Sequence, residues 1–403
     1  MLNIAMIGGT YEPDVLNMMI KKYRYGVDVP ACVLQWKMVE GLSQDPQVKL
    51  HLINERRIPT FPTANIVFAK RENWDCKKAE TAMQFSFINL PLIKKISKVR
   101  GIIRELKDWY KKDLQDDKVV LIYALHTPYL LASSLFIKRK KIKQFLIIPD
   151  LPQYMNSSSG PILKRILKRI DEKLQKRLLK YIDGYFLLTK YIADVYNIEE
   201  DKYIILEGIA DTEIKDQVET VSKKKAILYT GALSERYGII KLIEAYEKCE
   251  YVGELWICGE GYARNKVEAA CERNKNIKYF GQLPRKEILK KQKEASLLVN
   301  PRNSSDDYTK YSFPSKTMEY LQSGTPVLMS RLKGIPEQYE SYIYWVEVET
   351  VDGWANAMQK LVSLPDIERN DFGKRAQRFV SEEKNPTVQA KRMIVFMNNI
   401  LEY

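Results

Sequence analysis

Residues 311–328 read YSFPSKTMEYLQSGTPVL. Pro314-Ser315 leads into a short run with helical spacing, Met318 and Leu321, which Gly324 ends. The apolar stretch PVLM that follows has the composition of a buried strand. A helix feeding directly into a buried strand is one step of an alternating α/β chain. One residue breaks a rule. A helix start carries unpaired N–H groups and partial positive charge, so Asp or Glu is the favoured guest there. Lys316 occupies that first turn instead, which makes sense where an anion is to arrive, and Glu319 follows one turn on.

The same alternation extends outward from this segment. KAILYTGAL, GELWICGEG, IKYFGQL, ASLLVNPR, TPVLMS and YIYWVEV read as strands, with helices such as IIKLIEAYEKC and RNKVEAACERN between them. The first half gives LNIAMIGG, VKLHLIN, KVVLIYAL, KQFLIIPD and GYFLLT, each followed by a helical pattern. Strands alternating with helices predict a parallel sheet covered on both faces. The expectation is two doubly wound α/β domains whose strand ends face a cleft. They span residues 1–210 and 211–384, joined through the polar stretch DTEIKDQVETVSKKK at 211–225. The last residues, about 385–403, read as an amphipathic helix expected to pack back on the first domain.

The 403 residues are 45% hydrophobic and 29% charged, as in a soluble globular protein of two domains. No run approaches the roughly 18 apolar residues of a membrane span, and the start MLNIAMIGGTYEP lacks a basic leader. The five cysteines form no CxxC pair, which suits reduced thiols in a cytoplasmic setting. Two histidines, His51 and His126, give no zinc-ligand spacing. The net charge of +14 is uneven: residues 1–210 hold 35 Lys+Arg against 23 Asp+Glu, and the remainder 30 against 28. A basic half can meet nucleic acid, an acidic membrane surface or a phosphorylated substrate. No nucleic-acid-binding motif accompanies the charge, so nucleic acid is not expected.

Glycines cluster just after strands: Gly8-Gly9, Gly231, and Gly259 with Gly261. None belongs to a GxGxxG or Walker A loop. Any one of them is ordinary turn chemistry, but several at the carboxyl ends of strands suit close approach of backbone to phosphate. Arg236 and Arg302 follow strand ends and, with Lys316, would form a cationic patch suited to a pyrophosphate. Glu319 has two readings, an i, i+3 partner of Lys316 or a hydrogen-bond acceptor for a ribose diol. In the first half, His126 and Asp150 lie just past strand ends, where they are either structural or placed to bind or deprotonate a sugar hydroxyl.

Residues 161–182, PILKRILKRIDEKLQKRLLKYI, place apolar side chains with a 3.6 period and eight Lys/Arg around them. This is either a domain helix with a solvated basic face or a helix that lies on anionic lipid. Residues 93–112, IKKISKVRGIIRELKDWYKK, are a second basic stretch in the same half.

Across nearly its whole length the chain resembles the family 4 retaining glycosyltransferases of GT-B fold, above all the bacterial enzymes of capsular and exopolysaccharide synthesis. The resemblance rests on LHTPYL, LIIPDLPQYM, YTGALSERYG, ICGEG, IKYFGQL, NPRN and YSFPSKTMEYLQSGTPVL. It implies that Glu319 holds the donor ribose, that Arg236 lies near the donor pyrophosphate, and that the backbone at Phe313, Pro314, Ser315 and Lys316 meets the phosphates and the transferred sugar. It further implies that Gly8 and Gly9 face the same phosphates, with Asp150 near the anomeric centre and His126 in the acceptor-side loop. The chain departs from the family at Tyr311, where the first of the paired glutamates usually stands, and at Ala232 and Tyr237, where an arginine and a lysine are usual. The pair Asp306-Asp307 is a candidate replacement for the missing carboxylate.

The function implied is transfer of a hexose from a nucleotide-sugar, UDP- or GDP-linked, to a lipid-linked saccharide or oligosaccharide hydroxyl. No cofactor and no metal enter, and the protein would work in the cytoplasm, peripherally on the inner face of the membrane. The rival readings are a nucleotide-sugar epimerase or phosphorylase of the same plan, and a non-catalytic binding partner in capsule assembly.

Overall fold

The central strand Leu2–Gly8 forms where aliphatic residues predominate, and all of it is buried. The computed structural model of the protein describes residues 1–22, 28–91, 93–112, 116–138, 140–151, 162–211 and 222–402. The chain divides into two compact units, Met1–Ile209 with Pro386–Tyr403, and Ala210–Asn385. Most of the polar stretch at 211–225 lies outside the described residues.

The first unit contains β1 (Leu2–Gly8), β2 (Val48–Asn54), β3 (Phe68–Ala69), β4 (Glu72–Asn73), β5 (Thr81–Gln84), β6 (Phe87–Ile88), β7 (Asp117–Tyr123), β8 (Lys143–Ile148), β9 (Gly184–Leu187) and β10 (Tyr203–Ile205). Its sheet runs β10-β9-β8-β7-β1-β2-β5-β4. All neighbours are parallel except β4, which is antiparallel to β5. A purely parallel sheet was the expectation, and β4 corrects it at the edge, where an antiparallel strand needs no covering helix on both faces. β3 and β6 form a separate antiparallel ribbon. All seven residues of β1 are buried, as befits a central strand.

The C-terminal helix Pro386–Glu402 belongs to this unit. Met393 and Met397 are fully buried, and Phe396 packs its ring edge against Phe145 and Phe186 at 6.2 and 5.6 Å. Gly41 admits the chain at this point, since a Cβ there would collide with the Pro386 carbonyl.

The second unit contains β11 (Ala226–Thr230), β12 (Glu254–Cys258), β13 (Ile277–Tyr279), β14 (Leu297–Asn300), β15 (Val327–Ser330) and β16 (Tyr344–Val346), ordered β13-β12-β11-β14-β15-β16 and wholly parallel. Counted within the unit this is the doubly wound order 3-2-1-4-5-6. The order reverses between β11 and β14 here, and between β1 and β7 in the first unit. Open α/β sheets bind ligands just beyond the strand ends at such switch points. Among the described residues, no helix is long and apolar enough to cross a membrane.

Candidate functional site

In the second unit, parallel register brings the strand ends to one edge: Thr230 pairs with Cys258, Ile257 with Tyr279, and Asn300 with Met329. The turns beyond them are stitched together by their backbones. Gly231 N–H donates to the Cys258 carbonyl at 2.8 Å, Leu233 N–H to Glu260 at 2.9 Å, and Gly259 N–H to Gly281 at 2.8 Å. Gly259 has φ +138°, and a Cβ there would strike the Gly231 carbonyl. A side chain on Gly259 would pry these turns apart.

The helix Ser315–Gln322 starts over this edge. Pro314 precedes it at φ −66° and makes no side-chain cap. Tyr320 fastens the helix to β11: its hydroxyl accepts from the Thr230 N–H at 2.9 Å and lies 3.1 Å from Thr230 Oγ1. Lys316 reaches the same place, donating from Nζ to the Thr230 carbonyl, 5.6 Å from the centre of the Tyr229 ring. A Cβ on Gly231 would collide with that ammonium. Burial, reinforced by the nearby Arg302 charge, pushes Lys316 down to about 8. Arg302 is half-buried with its guanidinium 4.6 Å from the Tyr237 ring, and Arg236 lies 3.8 Å from the Tyr308 ring. The Tyr308 hydroxyl and the Asn300 Nδ2 are buried without a hydrogen-bond partner among the described residues. Three cations and two unpartnered polar groups therefore surround one switch point.

The structure sorts the other expected residues of this patch. Glu319 does not pair with Lys316 among the described residues; its Oε1 accepts from Gln292 Nε2 at 2.5 Å. The i, i+3 reading is thus corrected, because the Lys316 chain turns toward the strand end. Phe313 points into the core and packs on Tyr339 at 5.5 Å, so its backbone alone lies at the helix start.

The first unit has its own strand-end cluster. Gly8 pairs with Asn54 and Ile7 with Ile122, so Gly9, Glu55 and His126 emerge side by side, while Asp150 follows β8 on the same edge. Gly9 does not offer its N–H outward, because that group donates to Gln35 Oε1 at 2.9 Å. A Cβ on Gly9 would meet the Arg57 guanidinium, which lies over the turn. Buried Glu55 accepts from Lys98 Nζ and from the Tyr129 hydroxyl, both at 2.7 Å. Burial alone would raise the Glu55 carboxyl, but the charges of Lys98, Arg57 and His126 outweigh it and hold the group down to about 2. His126 precedes the helix Thr127–Ile137, with its ring edge-on to Tyr129 at 4.6 Å. Its Nε2 stands 3.8 Å from Glu55 Oε2, beyond hydrogen-bond reach, and burial pushes the imidazole down to about 3.

Sequence reading did not single out Glu55, Arg57 or Lys98. Lys98 lies in the basic stretch 93–112, and its partner Glu55 is 43 residues away. The one local signal is the run ERR at 55–57, immediately after the VKLHLIN strand. Among the described residues no group of His, Cys, Asp and Glu side chains is placed to hold a metal ion.

Residues 210–379 match the family model described as "Glycosyl transferases group 1". No curated protein sequence matches the chain. Solved structures do. Sucrose-phosphate synthase from Thermosynechococcus elongatus superposes with a TM-score of 0.62 at 13% identity, covering 100% of both chains. The lipopolysaccharide outer core galactosyltransferase WaaB superposes at 0.62 with 14% identity, covering 98% of this chain and 99% of that one. Anabaena Alr3699/HepE in complex with UDP gives 0.63 at 9% identity, over 98% of this chain and 100% of that one. The fold is GT-B, two Rossmann-like units.

Proposed function

We propose that this chain is a glycosyltransferase that takes a hexose from a UDP- or GDP-linked donor held on the second unit. The acceptor is a hydroxyl of a lipid-linked saccharide or oligosaccharide, and the product belongs to a cell-surface polysaccharide. The observation that carries this reading is the desolvated Lys316 at a helix start, over the β11/β14 switch point, inside the segment that matches the glycosyltransferase model. HepE, a structural neighbour, binds UDP and UDP-glucose.

The chemistry follows from the charge. The bond between the anomeric carbon and the diphosphate oxygen breaks while a bond to the acceptor oxygen forms, and the acceptor proton passes to the departing phosphate. Negative charge grows on the nucleoside diphosphate, so preplaced cations and helix N–H groups stabilise this transition state more than the ground state. Lys316, Arg302 and Arg236 supply the charge, and Glu319 accepts the ribose hydroxyls. Retained anomeric configuration, metal independence, and roles for Asp150 and His126 beside the acceptor complete the proposal.

A membrane-surface position on the cytoplasmic side goes with it. On the helix Ile162–Leu178, Ile166, Leu167 and Ile170 are exposed among basic residues. Exposed Ile93 and Ile96 stand at the start of the helix Ile93–Tyr110, which Lys95 ties to Asp171 at 2.9 Å. Apolar side chains ringed by Lys and Arg suit an anionic bilayer.

Titration calorimetry with UDP, GDP and their sugar conjugates tests the donor claim. One nucleotide should bind, and Lys316→Ala should weaken it roughly 10- to 100-fold, the scale of a charge-assisted hydrogen bond. Binding by none of them, or equal binding by the variant, removes the reading. Under the same proposal, flotation with anionic vesicles should be strong at low salt and fade at high salt.

A further inference from the structure

Away from both strand-end clusters, the first unit holds a cavity of about 300 Å³. Two of its lining residues, Ile182 and Lys202, stand just before β9 and β10. The cavity therefore lies at the edge where these parallel strands begin, opposite the edge of Gly9 and His126. A turn shapes one wall. Asn197 ends the helix Tyr191–Tyr196 at φ +51°, and Ile198 N–H donates back to the Ala193 carbonyl at 3.1 Å. Val195 and Ile198 then both line the space, with buried Leu179 and Ile182. Tyr185 also lines it, and its hydroxyl is already committed to the Leu179 carbonyl at 3.0 Å. Burial pushes the Tyr185 and Tyr196 phenols up to about 12, so these walls carry no charge at neutral pH.

The exposed lining is charged instead. Glu199 is paired with Lys202, whereas Lys176 and Lys180 have no carboxylate partner among the described residues. A second cavity, of about 380 Å³, runs along the helix Ile162–Leu178 and shares Lys176 with the first. Among its lining residues Ile166 and Ile170 are set between Arg169 and Lys173. Both cavities thus combine apolar walls with surplus positive charge, and the proposed transfer reaction uses neither. A free phosphate would leave the apolar walls unfilled, and a neutral apolar ligand would leave Lys176 and Lys180 unpaired. A ligand with one anionic head and an apolar body meets both requirements.

We propose that these two cavities form one binding site for an anionic phospholipid. Its phosphate is held between Lys176 and Lys180, and its acyl carbons lie on the apolar walls. The site deepens the membrane-surface reading and takes from it only the source of the lipid.

Short-chain lipids that stay monomeric in solution test the site without a bilayer. The full-length chain is titrated calorimetrically with dihexanoylphosphatidylglycerol below its critical micelle concentration. Dihexanoylphosphatidylcholine, which is zwitterionic, and glycerol phosphate, a head without chains, serve as comparisons. Dihexanoylphosphatidylglycerol should bind at least about tenfold more tightly than either, since only it has both the charge and the apolar carbons. The double variant Lys176→Glu, Lys180→Glu changes two exposed side chains and should weaken that binding about tenfold or more. Ile198→Trp, which fills the cavity, should do the same, and neither variant should change UDP affinity. No binding, equal binding of the three ligands, or unchanged affinity in either folded variant overturns the site.

Flotation of the wild-type chain with anionic vesicles is read alongside. Vesicle binding without binding of the monomeric lipid overturns this site and leaves the membrane-surface reading standing. Binding of the monomeric lipid without vesicle binding supports the site and removes that reading.

Discussion

At Lys316 the burial that disfavours the ammonium in the free protein is what readies it for an anion. Its folded pKa is lowered from the ordinary lysine value of 10.5 to about 8. Below about pH 8 the folded state therefore carries an unwelcome charge, and that cost is relieved as pH rises toward the unfolded value. A diphosphate beside Nζ would restore the proton. Nucleotide binding near pH 9 should then take up close to one proton, and affinity should fall as pH climbs through 8 and beyond. Calorimetry in buffers of different ionisation heat measures the uptake, and Lys316→Met should abolish it. No uptake in the wild type would mean that the ammonium does not face the ligand. Lys316 was legible in the sequence because a cation at a helix start defies the dipole. Arg57, Glu55 and Lys98 were not, since the burial of Glu55 and Lys98 and the place of Arg57 over the Gly9 turn arise from packing between segments far apart in the chain, and a basic run looks the same whether solvated or enclosed.

The helix Ser315–Gln322 is eight residues long, too short to hold its place by its own hydrogen bonds. Its anchor is Tyr320, whose hydroxyl satisfies the Thr230 N–H at the end of β11, past the last residue paired with β14. Tyr320→Phe keeps the buried ring and leaves that N–H without an acceptor. The expected loss is about 1–3 kcal/mol, read as a lower midpoint of urea unfolding. UDP affinity should drop as well, because Lys316 rides on the same helix; an unchanged midpoint would show the contact to be incidental. At this scale the long buried strands were readable as apolar runs bounded by glycine. The two-residue strands β3, β4 and β6 were not, because two residues display no period. Strand order is likewise absent from local pattern: β1 sits centrally because β2 and β7 pair on either side of it, and neither pairing leaves a mark within the strand itself.

For the whole chain, the expected division and the observed units differ little in position, yet their physical basis differs. The sequence showed a change in charge and a polar stretch, whereas in the structure the large buried cluster of each unit draws on residues of that unit alone. The core of the first unit is completed by a segment from the opposite end of the chain. Phe396, Met393 and Met397 sit with Phe145, Phe186 and Leu121 in one cluster, and no second-unit residue belongs to it. That closure predicts a selective effect. Phe396→Ala leaves a cavity between two rings, costing roughly 3–5 kcal/mol of first-unit stability. In a unit of this size that lowers its melting point by roughly 10 °C. Calorimetry with saturating UDP should separate the two units, since a ligand held on the second unit raises only the transition to which it is linked. The first-unit transition should fall in Phe396→Ala while the UDP-linked one stays in place. If both fall together, the units unfold as one cooperative block, and the C-terminal helix stabilises the chain as a whole instead of closing one core.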